Sequence, residues 1–219
     1  MFHTNQANNP TIEELQQEDD FVLIENIAHS EIKTFVIDQL TTESKIIKSY
    51  MIYQVLMVLI GIFFITRSLV LAFKGVFQPL IFTFTGLAFS LTFLILIHEL
   101  LHGLALKFTG APRISFGGYI KKFIFYAEAD CHVLNRCQYV FVALTPLITV
   151  KIATLITLLI SLNHSLFYFP LIVMSAHTLF CAGDIGLLSF FFRFPNSNIY
   201  TYDSKAEKRS YFYKKIVKE

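Results

Sequence analysis

Four apolar stretches, near Tyr50 to Phe73, Pro79 to Phe108, Tyr139 to Leu162 and Leu166 to Phe192, set the terms on which this chain can fold. Each is near or above the ~20 residues a helix needs to cross the hydrocarbon of a bilayer. The expectation is an all-α membrane protein with about four transmembrane helices. Composition agrees, because 54% of the 219 residues are hydrophobic and 16% charged, where a soluble domain carries about 25% charged. Charge is also unevenly spread: residues 1–49 hold nine acids against three lysines, the remainder seven acids against fifteen bases. That contrast separates an acidic head (1–49) from a four-span membrane domain (50–192, with loop 109–138 outside the membrane) and a basic tail (193–219).

The head reads as a small helical segment, with Thr11 and Glu14 spaced for a capping box. Its first twenty residues lack the basic and apolar regions of a signal peptide, so the first anchor is expected later. Lysines and arginines concentrate between the second and third stretches (Lys107, Arg113, Lys121, Lys122, Arg136) and in the tail, which carries seven. By the positive-inside rule both termini and that loop face the cytoplasm. In the tail, Tyr200, Tyr202, Tyr211 and Tyr213 interleave with basic residues, which after a membrane span points to anionic lipid rather than nucleic acid. Cys131, Cys137 and Cys181 form no CxxC pair and are expected to be packing or loop thiols.

Ionisable groups cost about 2.5–3.5 kcal/mol each at the centre of a span, so those that persist have a task or a partner. The four stretches contain two acids, Glu99 and Asp184. Glu99 lies in His98-Glu99-Leu100-Leu101-His102, an HExxH pattern. On a helix, positions four apart share a face, so both imidazoles can reach one zinc ion while Glu99 takes a proton from the water that the ion activates. A catalytic zinc needs a third protein ligand and an open position. Asp184 is the leading choice, since its depth in the fourth stretch matches that of His102 in the second; Glu128, in the loop, is the alternative. The longer HExxHxxGxxH pattern fails at Ala105 and Phe108.

The stretch HELLHGLALKFTGA, the glycine-bearing loop, the span opening VALTPL and the late CAGDIG resemble the site-2 protease group of intramembrane zinc metallopeptidases. More narrowly, they resemble bacterial membrane families of zincin-type peptidases with a late Gly-Asp pair like Gly183-Asp184. The likeness covers roughly residues 80 to 190. It implies zinc held by His98, His102 and Asp184, a membrane-protein substrate and a place in a bacterial plasma membrane. This chain departs from the better-known site-2 proteases in having Gly before Asp184 and Ser175-Ala176-His177 upstream of it.

Other residues have two readings each. His177, seven residues before Asp184, either stabilises the oxyanion of a tetrahedral intermediate or hydrogen-bonds within the bundle. Cys181 packs, or serves as a fourth ligand that closes the shell. Lys151 snorkels to the surface or pairs with an acid near the site. Gly117-Gly118, between residues of high strand propensity, predicts a β-hairpin-like loop whose edge could hold a substrate extended. The rival to a peptidase is a membrane protein whose ligands hold a structural metal or line an ion path.

Overall fold

The computed structural model describes residues 9–17, 19–41, 44–119 and 124–216. Helices α1 (Ile12–Gln17), α2 (Ile32–Thr41), α3 (Lys45–Phe73), α4 (Gln78–Leu91), α5 (Phe93–Phe108), α6 (Arg136–Ile160), α7 (Tyr168–Phe180) and α8 (Ala182–Phe191) make up most of it. Six strands accompany them: β1 (Phe21–Ala28), β2 (Ser115–Tyr119), β3 (Ile124–Glu128), β4 (Leu134–Asn135), β5 (Ile199–Ser204) and β6 (Arg209–Lys215). The described residues within Met1–Thr42, Glu99–Leu144 and Gly186–Glu219 form one compact unit; those within Glu43–His98 and Thr145–Ile185 form a second.

Helices α3 and α6 are each long and apolar enough to cross a membrane. The other two apolar stretches are not single rods. One is α4 and α5, bent by 45° at Thr92; the other is a short 3-10 turn with α7, then α8, bent by 44° at Cys181. Four spans result if each bent pair counts as one. Pro146 is buried inside α6, which runs on through it.

In the second unit α7 packs against α3 and α4. Without water, helices associate through close packing of small residues. A Cβ on Gly61 of α3 would stand 3.0 Å from Ser175 Cβ. One on Gly86 of α4 would stand 3.1 Å from the Phe169 carbonyl oxygen and 3.3 Å from Ile172 Cβ, both on α7. Ile52, Val55, Leu59 and Phe63 of α3 remain exposed, which gives that helix an apolar outer surface.

The first unit corrects the all-α expectation. Its strands form an antiparallel sheet in the order β1-β6-β5-β4, with the acidic head and the basic tail as neighbours: Phe21 faces Lys215 and Ala28 faces Arg209. The helical head is therefore partly strand. The capping box is present on α1, where Glu14 N–H donates to Thr11 Oγ1 at 3.2 Å and Thr11 N–H to Glu14 Oε2 at 2.7 Å. Two of the four tail tyrosines point into this unit's core. Tyr202 and Tyr213 are buried with Leu15 and Val133, and the Tyr202 ring stacks on Tyr211 at 5.1 Å. Burial raises the Tyr202 pKa, so its phenol stays neutral and accepts a hydrogen bond from Gln16 Nε2 at 2.9 Å. Alternating tyrosines on either side of SKAEK were a strand signal, since side chains alternate faces with period two.

The loop does contain a hairpin, β2 with β3, but Gly117 and Gly118 lie in strand β2 opposite Tyr126 and Phe125. The connection, 120–123, falls outside the described residues. Gly117 answers close approach rather than turn geometry: a Cβ there would sit 2.5 Å from the Tyr126 ring. Gly103 of α5 does the same for Phe116 of β2, which would be 2.6 Å from an added Cβ.

Gly86→Val is expected to destabilise the protein by about 1–3 kcal/mol through overpacking against the α7 backbone. Thermal unfolding in detergent should show a lowered midpoint, with Leu59→Val on the exposed face of α3 nearly unchanged.

Candidate metal centre

Helix α5 sorts its side chains by face. Leu96, Ile97, Leu100 and Leu104 are exposed, while Leu94, His98, His102, Ala105 and Leu106 are buried. The two histidines thus occupy the inward stripe, one turn apart, with Glu99 half-buried beside them. His98 is 5% exposed and His102 9%, so each ring must find polar partners inside the protein.

His102 Nδ1 lies 3.1 Å from the backbone carbonyl oxygen of Val142 on α6. A proton on Nδ1 donated to that oxygen leaves Nε2 with its lone pair, the form a metal ligand requires. His98 is held on both sides. Its Nε2 stands 3.2 Å from Asp184 Oδ2 on α8, and its Nδ1 3.1 Å from His177 Nε2 on α7. One ligand atom from each of His98, His102 and Asp184 lies within 4.8 Å of the others.

This donor set fits zinc. Bonds of about 2.0–2.2 Å at tetrahedral angles put two ligand atoms roughly 3.3 Å apart, close to the 3.2 Å between His98 Nε2 and Asp184 Oδ2. Two imidazoles and a carboxylate are also the borderline-soft set zinc takes in hydrolases.

A second group, His98, His177 and Cys181, also has ligand atoms within 4.8 Å of one another, all three buried. His177, however, faces Nδ1 of His98, whereas Asp184 faces Nε2. One imidazole cannot direct both nitrogens at a single ion, so His177 and Cys181 do not complete the shell that Asp184 shares. His177 and Asp184, seven residues apart in one apolar stretch, are divided by the break at Cys181 between α7 and α8.

Glu128 and Asp130 are engaged elsewhere. Glu128 Oε1 accepts from Ser115 Oγ at 3.1 Å and is 4.0 Å from Lys205 Nζ; Asp130 Oδ1 accepts the Lys205 N–H at 2.8 Å. Among the described residues neither joins a metal-capable group. Lys151 does not snorkel: its Nζ donates to the Met174 carbonyl at 2.5 Å and lies 5.2 Å from the centre of the Tyr53 ring. The Val142 carbonyl was missed altogether, and no side-chain pattern could have revealed a backbone acceptor.

Residues 91–199 match a family described as "Putative zincin peptidase". The match supports a zincin-type zinc peptidase. It spans just under half of the chain and contains His98, Glu99, His102, His177 and Asp184. No curated protein and no solved structure matches.

Elemental analysis of the detergent-purified chain should find one zinc per molecule, lost in His98→Ala and in Asp184→Ala. Metal-free wild type, handled without chelators, would contradict the assignment.

Proposed function

We propose that this chain is a membrane-embedded zinc endopeptidase of the site-2-protease type, cleaving a peptide bond in or near the bilayer. The convergence of His98, His102 and Asp184 within 4.8 Å, with Glu99 on the same helix as the histidines, carries the proposal. His98, His102 and Asp184 would hold a zinc ion, which when bound would supply a Lewis acid for a peptide carbonyl and for water. Glu99 is the general base: its carboxylate takes a proton from the attacking water and delivers it to the leaving amide nitrogen. The Val142 carbonyl fixes the His102 ring so that its other nitrogen stays unprotonated.

The substrate is a membrane protein, and membrane lipids surround the exposed faces of the spans. The distribution of lysine and arginine supports cytoplasmic termini and a site reached from the cytoplasm. A plasma membrane, bacterial by the resemblance, is the corresponding location. The hairpin of β2 and β3 supplies a strand edge to which an extended peptide can add, and peptides must be extended for their scissile bond to be accessible.

An ion path is less well supported. Three hydroxyls in the spans bond to their own helices: Thr83 Oγ1 to Pro79 O at 2.8 Å, Ser90 Oγ to Gly86 O at 2.8 Å and Thr154 Oγ1 to Val150 O at 2.7 Å. Side chains committed in this way satisfy themselves and do not line a wet channel.

Glu99→Gln is expected to keep its zinc and lower turnover by roughly a hundredfold or more, the usual share of a general base. The measurement compares new protein termini in membranes of cells making wild type or Glu99→Gln. Cleavage products specific to wild type support the peptidase. Identical termini, with zinc bound in both, would sink it in favour of a structural metal.

A further inference from the structure

The hydrogen bond between His98 and His177 gives His177 a task other than contacting substrate. His177 is completely buried, and its Nε2 is directed at His98 Nδ1 at 3.1 Å, with the two rings inclined at 63°. An imidazole enclosed and aimed in this way does not present a nitrogen to an oxyanion. We infer that His177 is a positioning residue that fixes the tautomer and orientation of His98 for metal binding, an inference that rests on the metallopeptidase reading above.

The proton count supports one arrangement. For His98 Nε2 to offer a lone pair, the single proton of the neutral ring must sit on Nδ1. Nδ1 faces His177 Nε2, which must then be the acceptor, so His177 carries its own proton on Nδ1. With the alternative tautomer of His177, two N–H groups would meet at 3.1 Å and one ring would have to turn.

The surroundings hold the His177 ring in place. Its backbone carbonyl accepts the Cys181 N–H at 3.2 Å across the break between α7 and α8. The Cys181 sulfur, also fully buried, lies 3.6 Å from Nδ1 and 3.7 Å from Nε2, in contact with the ring. Tyr50 of α3 donates its hydroxyl to the Thr178 carbonyl one residue further on. Partners that orient a ligating histidine in this way are worth about tenfold to a hundredfold in metal affinity.

The test uses the whole chain in detergent, titrated with zinc against a chromophoric chelator, with the absorption spectrum of the cobalt-loaded form as a second readout. His177→Gln carries an amide oxygen to the position of Nε2; His177→Asn reaches only that of Nδ1. We expect His177→Asn to bind zinc about tenfold to a hundredfold more weakly, with shifted cobalt bands, and His177→Gln to stay within about threefold of wild type. Wild-type affinity and spectrum in both variants would overturn the inference while leaving the metal centre intact. Equal loss in both would assign His177 to packing and overturn it too. A wild type that binds no zinc overturns the metallopeptidase reading, and this inference with it.

Discussion

Ionisable groups inside apolar helices have no water to turn to, and the structure depends on how they satisfy one another. The His98 ring has two polar atoms, and each meets a partner from a different helix: Asp184 from α8 at Nε2 and His177 from α7 at Nδ1. Asp184 and His177 are therefore best understood through His98 rather than through their spacing from each other. The bend at Cys181 is what lets one apolar stretch supply both, since seven residues of unbroken helix would point them the same way.

Close packing of the apolar helices depends on backbones that can approach closely. Gly61 against Ser175 and Gly86 against the Phe169 carbonyl provide this on α3 and α4, both against α7, the helix that carries His177. The hydroxyls of Thr83, Ser90 and Thr154 turn back to carbonyls of their own helices, which leaves the histidine and aspartate cluster as a concentrated polar feature among the described residues.

A different logic governs the unit that contains the sheet. Here tyrosines and phenylalanines form ordinary buried clusters, Phe190, Phe191 and Phe212 with Ile27 and Ile199 among them. Arg136, at the start of α6, ties down the segment before β5 by donating to the carbonyls of Phe194, Pro195 at 3.0 Å and Ser197 at 2.9 Å. Gly103, the residue after His102, lacks the Cβ that would meet Phe116, so β2 can lie against the helix that carries the metal-binding pattern.

By itself the sequence determined the apolar stretches, the HExxH pattern on a helix and the singling out of Asp184, because length, periodicity and the cost of charge in hydrocarbon are local properties. Strand pairing between residues nearly two hundred positions apart was not legible, since neither the head nor the tail alone shows its partner. The glycines in the loop were visible, but whether they turn the chain or admit a ring depends on register, and register was decided by Tyr126 lying opposite Gly117. The break at Cys181, the engagement of the Val142 carbonyl and the choice of which nitrogen of His98 meets which partner belong to the tertiary structure. Each depends on the direction of a side chain or carbonyl relative to another helix, and no one-dimensional pattern carries that direction.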